Sequence, residues 1–351
     1  MAPRSALPEP VIHVPLNHIA RSPKWETEKA YEIWVEELPP GLKRSNVEFQ
    51  LVPNCPITNI RSLPPSEQPT LDREGYQILH SPFAEFEKLG LSSIEHLDGD
   101  EGKRRAMRTY LASMTEKLRD HYDGVKAVCF DWRVRKYAGR AYDRTPTIPV
   151  AAVQNATPAS GEVRERTITA AFNVHGDGSP NNFKRQLLYL LDPDEQRELA
   201  EKKYRLRLIK YADVSLLLPF CLFVAPPCLQ AATQFGMWRP VVDVETGPMA
   251  FCDVRSVLED DWEQVDKVFG DWVEESMYLK HNPAHKWYWL SNQTADEVIA
   301  FAIWDSEKPH DMSAGVAHSS FLLPPHLDGK VPRQSIEMRL LLWTEPSHSV
   351  K

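Results

Sequence analysis

The sequence predicts an α+β protein whose core is an antiparallel sandwich or barrel. Two observations carry this. Over residues 103–122, Met107, Tyr110, Leu111, Met114, Leu118 and Tyr122 recur at three- and four-residue steps, the period of a helix with one buried face. After Trp238 the pattern changes to short runs rich in β-formers, clearest at 286–290, 298–304, 315–322 and 335–343. Helices come early and strands late.

The remaining elements follow in order. Twelve of the 29 prolines fall in the first 70 residues, so residues 1–70 read as an extended arm with little regular structure, packed on a domain spanning 71–351. Residues 70–83 form a turn into a short strand. Asp123-Gly124 ends the 103–122 helix, and residues 125–134 (VKAVCFDWRV) make a strand. Residues 167–174 (TITAAFNV) make another and run directly into HGDGSP. A helix over 193–204 is signalled by Asp192 as cap, Pro193 in the first turn and Glu195 closing a capping box. A further helix is expected near 257–269. The apolar stretch 214–232 resembles a membrane span, but Pro219, Pro226 and Pro227 interrupt it, so no span is expected.

Composition narrows the function. The chain has 351 residues, 41 basic against 49 acidic, and a net charge of −8, which disfavours nucleic acid and anionic membranes as partners. Glycine is scarce (15), unlike a glycine-lined nucleotide fold. Walker A, GxGxxG, GxSxG and CxxC motifs are absent. Five cysteines without metal-type pairing point to a reducing, cytoplasmic setting. The opening MAPRSALPEP has no apolar core of a signal peptide.

His281 and His285 are four apart, but Pro283 lies between them, so no helical zinc pair is expected there. The informative element is His175-Gly176-Asp177 at a strand end. In an extended chain residues two apart share a face, so an imidazole and a carboxylate can bind one metal as two legs of a 2-His-1-carboxylate triad. His318, in the strand-like GVAHSSFLL, supplies the third leg. Arg333 and Ser335 share a face of the next strand, and together offer a guanidinium fork and a hydroxyl suited to the distal carboxylate of 2-oxoglutarate. Taken singly, Asp-Gly is a common turn, His318 a core histidine and Arg333 an ion-pair partner. The order HxD, distant His, RxS is that of the double-stranded β-helix (jelly-roll, cupin-like) oxygenases. The three ligating residues should therefore lie with donor atoms roughly 3–4.5 Å apart. Arg339, six residues beyond Arg333 and ~20 Å along the strand, is expected to lie outside the anchor site.

The segments NPAHKWYWLSNQTADEVIAFAIWDS, AHSSFLLPP and RQSIEMR, with LDREGYQIL, VCFDWRVR, VHGD, MWRP and PMAFCDVRSV, resemble the fungal gibberellin-desaturase-like, or hydroxylase/desaturase, family. The resemblance runs from about residue 45 to the end. It implies Fe(II) and 2-oxoglutarate as cofactor and cosubstrate, with His175, Asp177 and His318 as iron ligands and Arg333 as the anchor. It also implies hydroxylation, desaturation or oxidative cyclisation of a small secondary metabolite with O2. Bacterial relatives include an accessory chain of cephalosporin methoxylation, so a non-catalytic accessory subunit of the same fold is the alternative. Zinc hydrolysis on the same ligands lacks an evident general base.

Substrate contacts are expected from Arg135, Trp238, Arg239 and Tyr288, with Trp132, Arg133, Trp287 and Trp289 as further pocket aromatics and cations. Two departures from the family stand out. The loop from His318 to Arg333 is long, and about 25 residues, roughly 212–236, separate RLRLIKY from MWRP. That insert reads as a substrate-entrance lid, as an oligomer contact in a homodimer, or as translated intron sequence.

Overall fold

The computed structural model describes residues 9–35, 37–88, 100–136, 167–168, 170–201, 203–209, 236–269, 273–308, 310–312 and 315–346. In chain order its strands are β1 (Val11–Ile19), β2 (Ala30–Ile33), β3 (Phe49–Asn59), β4 (Tyr76–His80), β5 (Lys126–Lys136), β6 (Thr167–Ile168), β7 (His175–Gly176) and β8 (Arg205–Ile209). Then come β9 (Gly236–Pro240), β10 (Met249–Cys252), β11 (Trp262–Val268), β12 (Val273–Leu279), β13 (Trp287–Trp289), β14 (Glu297–Asp305), β15 (His318–Ser320) and β16 (Gln334–Thr344). They form two sheets. One is nine-stranded in the order β1-β3-β13-β10-β15-β7-β12-β11-β2. The other runs β4-β14-β8-β16-β5-β6, with β9 beside β14 and β16. Most neighbours are antiparallel, and side chains of the two sheets meet, as in the expected double-stranded β-helix.

The helix Glu101–His121 begins where the Asp100 side chain accepts the Lys103 backbone N–H at 3.1 Å. Its buried side is Met107, Tyr110, Leu111, Met114, Thr115 and Leu118, the predicted stripe. It ends at Tyr122, followed by Asp123 in the left-handed region (φ 51°). This helix covers one face of β16 and β9. The Arg239 guanidinium lies 5.7 Å from the Tyr110 ring, and Arg239 stands opposite Ile336, so both point toward the helix. Alternation then turns Ser335, Glu337 and Arg339 to the barrel interior.

Three expectations change. Residues before 70 are not irregular: β1 pairs antiparallel with β3, and β2 joins β11 in parallel. Pro15 is tolerated because the ladder skips it, at the register shift between Val14 and Leu16. Residues 257–269 are not a helix; a short turn at Glu259–Asp261 leads into β11, whose buried Trp262 and Val265 have helical spacing but pair with β12. The 193–204 helix ends earlier, as Pro193–Ala200, with the predicted capping box at Asp192 and Glu195.

Residues 210–235, nearly the whole of the expected insert, and the apolar stretch 214–232 lie outside the described residues. Their flanks are informative. On β14, Ala302 faces Ile209 and Phe301 faces Gly236; on β16, Leu340 faces Ile209 and Arg339 faces Gly236. Consecutive partners on both sides make β8 and β9 two halves of one strand lane, and the insert interrupts it between Ile209 and Gly236.

Candidate metal centre

β7 lies between β15 and β12, and His175 stands directly opposite His318 on one side and Tyr278 on the other. Cross-strand opposition places both imidazoles on one face, with ring centroids 4.4 Å apart. Asp177 follows His175 by two residues, and its Oδ2 lies 4.0 Å from His318 Nε2. Donor atoms of His175, Asp177 and His318 all fall within 4.8 Å of one another, close to the separation read from the sequence. Gly178 is required at the following turn, where a Cβ would come within 2.7 Å of Phe183.

The protonation pattern suits a metal. His175 Nδ1 lies 2.7 Å from the Asn173 carbonyl and His318 Nδ1 2.9 Å from the Val316 carbonyl. A carbonyl oxygen only accepts, so each Nδ1 carries a hydrogen and it is Nε2 that is left to offer a lone pair to a metal. This is the outer-shell arrangement that orients ligating histidines. Two imidazole nitrogens and one carboxylate fit Fe(II) as a facial triad. The rings of Phe301 and Phe251, 4.9 and 6.3 Å from His318, bound the site with apolar surface.

Arg333 is fully buried. It donates from Nη1 to the Gly247 carbonyl and, at 3.0 Å, to Ser320 Oγ, and its guanidinium carbon sits 5.4 Å from the Trp238 ring. Ser320 is two residues beyond His318, so Arg333 reaches the same face of β15 as the metal donors. Ser335 is also fully buried, and its Oγ has no hydrogen-bond partner among the described residues. A buried hydroxyl beside a buried guanidinium fits one end of a dicarboxylate. The long loop before Arg333 is fastened by Glu245, whose carbonyl accepts the Gly329 N–H at 2.9 Å and whose carboxylate accepts that of Lys330 at 3.1 Å.

The remaining predicted contacts separate. Arg135 faces inward and pairs with Glu337, and Trp238 borders Arg333. Arg239 does not reach the site: it points to the helix and donates to the Ser81 carbonyl at 2.9 Å. Tyr288 shares the inner face but lies beyond Phe251, against Tyr76 at 6.3 Å. Trp287 and Trp289 pack in the core on the opposite face. Arg339, expected outside the anchor site, lies at the metal end: its Nη2 is 3.8 Å from Asp177 Oδ1 and its Nη1 3.7 Å from Asp131 Oδ2. The signal was present, since 333, 335, 337 and 339 share a face. Lys267 lies near the same charges, its pKa lowered by burial against the opposing pull of Glu32, Glu274 and Asp177.

The two facing sheets with this cluster inside define a double-stranded β-helix with a candidate metal centre. Residues 16–211 and 226–343 match the family described as an "Oxidoreductase/YMDC permease-like domain", and the chain belongs to that family. The match breaks where the strand lane is interrupted. The chain is 39% identical over 116 residues to the gibberellin cluster GA4 desaturase of Gibberella fujikuroi, covering 31% of this chain and 34% of that protein. It is 32% identical over 127 residues to hydroxylase/desaturase efuI of Hormonema carpetanum, covering 32% and 42%. The Fe(II)/2-oxoglutarate-dependent dioxygenase nvfI of Aspergillus novofumigatus is 34% identical over 116 residues, covering 31% and 40%. The matched stretch thus spans about a third to two fifths of these relatives. The solved iron and alpha-ketoglutarate-dependent endoperoxidase NvfI shares the fold, with a TM-score of 0.65 at 19% identity over 96% of this chain and 99% of that one. No helix among the described residues is long and apolar enough to cross a membrane.

Proposed function

We propose that this chain is an Fe(II)- and 2-oxoglutarate-dependent oxygenase acting with O2 on a small secondary metabolite in the cytoplasm. The observation that carries the reading is the convergence of His175, Asp177 and His318 within 4.8 Å. Arg333 and Ser335 lie buried on the facing sheet. His175 and His318 present Nε2, and Asp177 its carboxylate, as one triangular face for the metal. Arg333 and Ser335 would hold the distal carboxylate of the cosubstrate. When bound there, Fe(II) with 2-oxoglutarate and O2 supplies a two-electron oxidation of a substrate C–H bond, with succinate and CO2 as coproducts. Phe301, Phe251 and Trp238 keep water from the reacting face. Arg339 holds the Asp177 carboxylate in position, and Arg135 with Glu337 offers a polar wall to substrate. Among the described residues Cys55, Cys129 and Cys252 are free thiols.

Intact donors and anchor favour an enzyme over an accessory subunit, which needs neither. The test is 2-oxoglutarate consumption with succinate formation in the presence of Fe(II). The reading expects turnover in the wild type and loss in Asp177→Ala with the melting temperature retained. Succinate formation that persists in Asp177→Ala would overturn it.

A further inference from the structure

His18, Cys55 and His281 form a second group whose donor atoms lie within 4.8 Å of one another. They come from β1, β3 and the turn after β12, and nothing in the oxygenase reading uses them. We propose that they form a separate site for a borderline-soft divalent cation, Zn2+ by its chemistry, that clamps the N-terminal strands to the β12–β13 turn.

The site is built for ligation. His18 is fully buried, and its Nδ1 is 3.1 Å from the Leu279 carbonyl, so Nδ1 carries the hydrogen and Nε2 keeps the lone pair. Among the described residues that Nε2 is buried with no hydrogen-bond partner, as is His281 Nδ1. Burial drives the His18 pKa down to about 3, so the ring is neutral. Cys55 is buried, its Sγ donates to the Val52 carbonyl at 3.4 Å and meets the Leu16 backbone, and burial raises its thiol pKa, so a bound cation would have to displace the thiol proton. Tetrahedral zinc with nitrogen and sulfur ligands needs donors about 3.5 Å apart, a small closure from the present spacing. No carboxylate belongs to the set, which disfavours Mg2+ and Ca2+, and a thiolate with two imidazoles favours Zn2+. His285 stands next, its ring 6.4 Å from His18 and its Nε2 3.1 Å from Asp261 Oδ2, the carboxylate–histidine pairing common beside metals.

The site is independent of the first. Tyr278 stands opposite His175 on the inner face, whereas Leu279 and Cys55 belong to the core on the other face, with Trp287. The sequence pattern had dismissed His281 with His285; folding pairs His281 with distant residues instead.

The test uses the full chain carrying His175→Ala and His318→Ala, which removes the first site. This variant should bind one equivalent of Zn2+, and Co2+ in its place should show thiolate-to-cobalt charge transfer in the near ultraviolet. Adding Cys55→Ser should abolish that band and weaken Zn2+ binding by about 100-fold or more. Zn2+ should also raise the melting temperature of the wild type. Absence of Zn2+ binding in the double variant, or Co2+ bound without the thiolate band, would overturn the proposal whether or not the Cys55→Ser chain folds.

Discussion

The two sheets that face each other across the barrel carry opposite chemistry. The nine-stranded sheet supplies imidazoles, His175 and His318, from adjacent strands, with Asp177 at the strand end. The seven-stranded sheet supplies guanidiniums: Arg333 just before β16, Arg339 midway along it, and Arg135 against Glu337 between them. A metal needs unprotonated donors, whereas a dicarboxylate needs cations. The imidazoles and Arg333 sit on separate sheets, and the two sets of charges meet only where Arg339 approaches Asp177 at 3.8 Å. Metal affinity and cosubstrate affinity should therefore separate by mutation, and both should depend on the sheets remaining stacked.

The largest effect belongs to the donor sheet. His318→Ala removes one of three ligands, so Fe(II) affinity should fall by more than about 100-fold, beyond the cost of disturbing an outer-shell partner. Equilibrium dialysis against Fe(II) under anaerobic conditions reads it. Packing of the helix against the back of β16 comes next. Met338 is fully buried on the helix-facing side of β16, and Met338→Ala should cost about 2–5 kcal/mol of stability. The folded fraction should keep wild-type Fe(II) affinity; a large drop there would mean the two faces are not separable.

On the cationic sheet, Arg333→Ala should raise the KM for 2-oxoglutarate by one to two orders of magnitude, about 1.5–3 kcal/mol for a charge-assisted contact, with Fe(II) affinity nearly unchanged. Arg333→Lys should recover part of this, because a point charge cannot reproduce the fork. If Arg339→Ala raises that KM and Arg333→Ala does not, the anchor has been assigned to the wrong arginine. The smallest effect is expected from joining Ile209 directly to Gly236. The register on β14 and β16 is already continuous across that junction, so the shortened chain should fold with unchanged melting temperature and equal or better soluble yield. Failure to fold would place the apolar insert in the core.

The shared faces of His175 with Asp177 and of Arg333 with Ser335 were legible because they depend on the two-residue period of a strand, which a sequence displays directly; the roles proposed for them rest on the convergence with His318. The same period marked Arg339 as a face-mate, but its approach to Asp177 depends on how β16 crosses β7, which no local pattern encodes. Arg239 failed for the complementary reason, since neighbouring residues in a strand point to opposite sides and Trp238 took the inner one. The N-terminal strands were obscured by prolines that sit at a skipped ladder position, as Pro15 does. β11 was read as a helix because Trp262 and Val265 fall three apart, and its pairing with β12 and β2 overrode that spacing.

The central claim is that His175, Asp177 and His318 hold iron while Arg333 holds the far end of 2-oxoglutarate. Anaerobic titration of Fe(II) and 2-oxoglutarate, followed by the visible charge-transfer absorption of their chelate, tests it most directly. The account predicts the band in the wild type, its loss in His175→Ala, and its appearance in Arg333→Ala only at 2-oxoglutarate concentrations roughly 10–100-fold higher. A wild-type protein that gives no band, or a His175→Ala variant that gives the full one, would contradict it.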